Sequence, residues 1–231
     1  MPYIGPPMRE FFRKMGLAAV VVLASAGAAW ADTAVEAYRA MGVEAASVLS
    51  GTVLNARVVP GPGKQVVSVT TYFTGDKDPS TAVNVRFDVF QRRGESLVQI
   101  YTRDLGAENG GNVARGDLQL VDLDNDGINE IILTFDLHSD PLIEQRVSEV
   151  VVHGGDGFAT VWTGPVEYDS TRAAREVPVE RRDRYRREID LGATIGSRGE
   201  TLFFKKTVIA VAGERLQQPK LVRESFPLRD P

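Results

Sequence analysis

The 231-residue chain contains no cysteine and only two histidines. The first absence excludes a disulfide framework and a lipobox lipid anchor, so stability after export rests on the core and on any bound metal. The second leaves little for imidazole chemistry. His138 and His153 stand near Asp136, Asp140 and Asp156. They lack an H-x-x-x-H or similar spacing and fall at strand ends, which predicts turn or surface histidines. The Gly-x-Ser-x-Gly of a nucleophile elbow is missing. Gly154-Gly155-Asp156-Gly157 lacks the Lys-Ser/Thr ending of a phosphate loop and reads as a hairpin turn. Positive charge is also short: the formal net charge is −4, which disfavours a general nucleic-acid binder.

Long apolar runs are scarce. The one at Leu17-Ala18-Ala19-Val20-Val21-Val22-Leu23-Ala24 follows Arg9, Arg13 and Lys14 and precedes Ala29-Trp30-Ala31. Basic, apolar and small-residue segments in that order predict a secretory signal peptide over residues 1–31, cleaved after Ala31. The run is shorter than the ~20 residues a bilayer-spanning helix needs, and no second candidate follows, so no membrane span is expected. The expected location is secreted or periplasmic. Cleavage would remove Arg9, Arg13, Lys14 and Glu10, taking the charge from −4 to −6 and leaving 200 residues, a length suited to one domain.

Residues 32–51 read as a short helix and linker. Thr33-Ala34-Val35-Glu36 fits a capping box, Val35, Tyr38, Met41 and Leu49 recur near helical spacing, and Gly42 limits the helix. From Thr52 the period changes to two, clearest where Val83, Val85, Phe87 and Val89 alternate with Asn84, Arg86 and Asp88. Similar runs at 66–73, 97–101, 131–137, 147–152, 158–162 and 202–211 make residues 52–231 a β-rich domain. A weak repeat of strand, Gly turn and large apolar residue runs through Val89, Gly94 and Leu97, then Val151, Gly155 and Phe158, then Ile209, Gly213 and Leu216. The expected fold is mainly β: antiparallel sheets in a propeller-like arrangement of about three blade-like units, or a sandwich. Between 172 and 188, seven arginines mix with four acids; this predicts a solvated connection or edge strand, with anion docking as the functional alternative. Trp162 and Tyr168 flank Gly164-Pro165, either as core or as a sugar-stacking surface.

The segment most informative about chemistry is Asp122-Leu123-Asp124-Asn125-Asp126-Gly127-Ile128-Asn129-Glu130. Oxygen ligands at positions 1, 3 and 5, Gly at 6 and a backbone carbonyl at 7 supply the crowded oxygen shell that a hard cation such as Ca²⁺ prefers. Acids at alternate positions repel one another unless a cation relieves them. The alternative is a solvated Asx-rich turn. An EF-hand is excluded because the twelfth residue is Leu133, not a bidentate Glu, and strands flank the loop.

The run from Val121 to Leu133 resembles the FG-GAP and VCBS repeats of secreted and integrin-type β-propellers, in which a D-x-D-x-D-G-x-x-D loop opens a blade strand and holds Ca²⁺. The likeness covers 13 residues and occurs once; Asn125 stands where Gly is common, and Glu130 where Asp is. It implies side-chain oxygens from Asp122, Asp124 and Asp126, a backbone carbonyl from Ile128 and a closing carboxylate from Glu130. The expected function is a secreted, non-catalytic module with one structural Ca²⁺ that binds a protein or glycan partner and forms an oligomer if its sheets need completing. The alternative is a metal-dependent hydrolase built on the same acids.

Overall fold

The computed structural model describes residues 28–75, 83–140, 143–170, 172, 184–196, 199–208, 211–212, 215–216 and 220–227. The fold is mainly β. Strands β1 (Val48–Ala56), β2 (Gln65–Phe73), β3 (Val83–Arg93) and β4 (Ser96–Asp104) form an antiparallel four-stranded meander. A second sheet runs β13-β10-β9-β8-β7-β6-β5, where β5 is Val113–Val121, β6 Glu130–Asp140, β7 Ile143–Gly154, β8 Gly157–Asp169, β9 Arg184–Gly196, β10 Gly199–Val208 and β13 Lys220–Pro227. β11 (Val211–Ala212) and β12 (Arg215–Leu216) make a separate two-stranded ribbon.

The two large sheets face each other across one core. Val67, Val69, Val85, Phe87 and Val89 from the first meet Leu118, Ile131, Leu133, Phe135, Val147 and Val151 from the second. Open sheets packed in this way fit a sandwich or a partial propeller, and the period-two pattern explains the packing: alternate residues of each strand turn inward. The repeat-marking Gly94 and Gly155 both lie in hairpin turns, joining β3 to β4 and β7 to β8; Gly213 lies outside the described residues. Gly116 of β5 is buried where it meets Val69 and Val85 of the facing sheet. A Cβ there would overlap a methyl of Val69 and stand 2.8 Å from one of Val85.

Helix α1 (Ala28–Met41) covers the outer face of the first sheet, burying Ala37 and Met41 against Val66, Phe90 and Leu97. It begins before Thr33, so the expected capping box does not form: the alanine-rich 28–31 segment carries the helix onward. Glu36 pairs instead with Arg92 at 2.8 Å. Val35 is 45% exposed, and Leu49 belongs to β1, which begins at Val48. The helix crosses the expected cleavage point after Ala31. A second, one-turn helix α2 (Leu105–Glu108) follows β4, with Asp104 accepting from the Ala107 N–H.

The arginine-rich run departs from expectation. Arg184–Gly196 is β9, flanked by β8 and β10, so it is not an edge. Arg184 stands opposite Asp169, its Nε 3.4 Å from the carboxylate. Opposite charges across a strand pair support the pairing. Residues 173–183 lie outside the described part.

Candidate metal centre

The β5–β6 hairpin carries the acidic loop. Val121 and Glu130 pair at its mouth, so residues 122–129 form the connection. Asn125 (φ 61°) and Gly127 (φ 83°) adopt left-handed backbone. These are the residue types that tolerate it, and the resulting curl folds the acids over one another.

Local hydrogen bonds fix the curl. Asp122 Oδ2 accepts from the Gly127 N–H at 3.0 Å, Asp124 Oδ1 from the Asp126 N–H at 3.1 Å, and Asp126 Oδ1 from the Ile128 N–H at 2.7 Å. Glu130 Oε2 accepts from the Leu123 N–H at 2.7 Å. Two anchors hold the loop to the rest of the protein. Leu123 is buried against Ile132 and Val150 on the outer face of the second sheet, beside Trp162. Asn129 donates twice to the Arg57 carbonyl, through its backbone at 2.7 Å and its side chain at 3.2 Å. The adjoining turn is set by buried Gln65, whose Oε1 accepts from the N–H groups of Val58 and Val59.

Three of the five expected ligands come together. Asp122, Asp124 and Glu130 each offer an oxygen, and these oxygens lie within 4.8 Å of one another. Asp124 and Glu130 are buried, 5% and 6% exposed. Asp126 is exposed and outside this cluster, and Ile128 is half-buried beside it. Among the described residues, buried Asp122 Oδ1 has no hydrogen-bond partner. Burial, with Asp124 and Asp126 nearby, pushes the Glu130 carboxyl up to about 7, against the pull of the Leu123 N–H. Buried carboxylates at close quarters, one oxygen unpaired, form an arrangement that a bound cation would relieve.

The histidines do not join the site. His138 is exposed, eight residues along β6 from Glu130 and so ~26 Å away along the strand. His153 follows Val151 on the inward face of β7 and packs edge-on against Phe158, centroids 5.0 Å apart. Glu130 shares the opposite, outward face with Ile132. Trp162 lies on that outward face too. A β-bulge in β8, where Val150 pairs with Trp162 and Val151 with Thr160, places both Val161 and Trp162 there.

Sequence reasoning missed the anchors, Leu123, Arg57 and Gln65. The burial of Leu123 between two acids was the available signal: an apolar residue within a solvated turn has no reason to be there unless it packs. No family model, curated protein or solved structure matches this chain. No helix among the described residues is long and apolar enough to cross a membrane.

Proposed function

We propose that the protein is an exported, non-catalytic β-sandwich module in which residues 122–130 hold one structural Ca²⁺, leaving its surface for protein or glycan recognition. The observation that carries this reading is the convergence of Asp122, Asp124 and Glu130 around a point where one buried carboxylate oxygen lacks a partner. The donor set is all hard oxygen, with no cysteine in the chain, His138 far along β6 and His153 turned to the opposite face of the sheet, which favours Ca²⁺ over zinc or copper. Asp126 and the Ile128 carbonyl would complete the shell. The FG-GAP and VCBS likeness of the loop points the same way.

A bound ion would add stability by selecting the folded state, about 2.7 kcal/mol at a free concentration a hundredfold above Kd. What favours a structural role over a hydrolytic one is that His138 lies far along β6 and His153 faces the other side of the sheet, so no imidazole shares the face of Glu130. Calorimetry of chelator-stripped protein tests the proposal. One equivalent of Ca²⁺ should bind with a rise in melting temperature, and Asp124→Ala, which removes the oxygen ligand, should abolish both. No heat at millimolar Ca²⁺, with melting unchanged, would end it.

A further inference from the structure

Within residues 32–41 of α1, Ala37 and Met41 are buried against the sheet and Tyr38 is half-buried. The sheet beneath it is polar at its centre. Ser68, Thr70 and Asp88 are fully buried there, and among the described residues Ser68 Oγ has no hydrogen-bond partner. Asp88 is held by the Arg86 guanidinium, Nε lying 3.0 Å from each carboxylate oxygen, and by Gln99 Nε2 at 2.5 Å. Arg86 also reaches upward, donating from Nη1 to the Met41 carbonyl at the end of α1 at 3.2 Å.

A charge pair kept beneath a helix costs desolvation, and an unpaired buried hydroxyl adds to that cost. Burial raises the Asp88 carboxyl above its ordinary value even with Arg86 beside it. A helix of 14 residues is marginal on its own in water, so α1 persists only while docked. Its end is a hinge-like stop. Gly42 takes φ 72°, its N–H bonds to the Arg39 carbonyl, and the Val43 N–H to that of Tyr38.

We propose that α1 is a strap that lifts as a unit from the outer face of the first sheet, pivoting at Gly42, while the sandwich core stays closed. Lifting it uncovers Val66, Phe90 and Leu97 together with the Arg86–Asp88 pair.

Hydrogen exchange on the intact chain, read peptide by peptide under native conditions, tests this. Amides of α1 should exchange at least about tenfold faster than those of β2 and β3, because the strap opens without global unfolding. A common rate for α1 and β3 would overturn the proposal. The double variant Arg86→Met/Asp88→Leu, which replaces the buried charges with apolar groups, should slow α1 exchange relative to β3. If it leaves α1 unchanged or faster, the buried pair is not what loosens the strap. Should that variant fail to fold, the exchange pattern of the unaltered chain decides alone.

Discussion

Replacing Glu130 with Gln removes one buried negative charge from the loop and keeps the shape of the side chain. In chelated protein, burial pushes the Glu130 carboxyl from its ordinary 4.5 up to about 7. The folded state then holds this proton more tightly than the unfolded chain does. The stability this confers is fully present below about pH 4.5 and is lost as pH rises through about 7. A shift of that size corresponds to ~3 kcal/mol, and solvent screening at the loop reduces it to ~2 kcal/mol. For a chain of this length, that is about 4–8 °C in melting temperature.

Melting curves in chelator at about pH 5 and about pH 8 read the effect. The Gln variant should melt above the unaltered protein at the higher pH, and the two should converge at the lower. Asp88, also raised, is common to both proteins and cancels in the comparison. Adding Ca²⁺ at the higher pH should reverse the order, because the carboxylate, with its charge and second oxygen, ligates the ion more strongly than the amide carbonyl of Gln. Parallel curves for the two proteins across this range would refute the reasoning, since Glu130 would then not be a destabilised ion in the folded state.

Two further outcomes follow from packing. Gly116→Ala drives a methyl into Val69 and Val85 between the sheets; the expected loss is about 1–3 kcal/mol by denaturant titration, with the fold retained. Leu123→Ala empties the seat over Ile132 and Val150 and should cost about 2–3 kcal/mol. It should also red-shift the emission of Trp162, the one tryptophan left once residues 1–31 are removed.

Much of the β architecture was legible because alternation survives wherever one face of a strand is buried, as at Val83, Val85, Phe87 and Val89. The place of β9 inside the sheet was hidden because Arg184 reads as part of a solvated connection or edge strand until Asp169 stands opposite it. α1 was placed correctly as a helix but started too late. A capping box at Thr33 is a local signal, and the helix-favouring alanines before it outweigh that signal. At the site, the letters identified the acids and the strained positions, Asn125 and Gly127. They did not separate Asp126 from Asp122, Asp124 and Glu130, because spacing does not encode which carboxylates a curled backbone turns inward.

By itself the sequence determined local chemistry: a β-rich chain without disulfides, and one loop crowded with oxygen donors at alternate positions. Those properties depend on neighbours in sequence, through alternation and turn propensity. Tertiary structure alone decided that the sheets meet face to face at Gly116, that Leu123 and Asn129 tie the acidic loop to two other parts of the chain, and that α1 rests on a buried charge pair. Each of these depends on contacts between residues far apart in the chain, where packing and desolvation, not local preference, select the outcome.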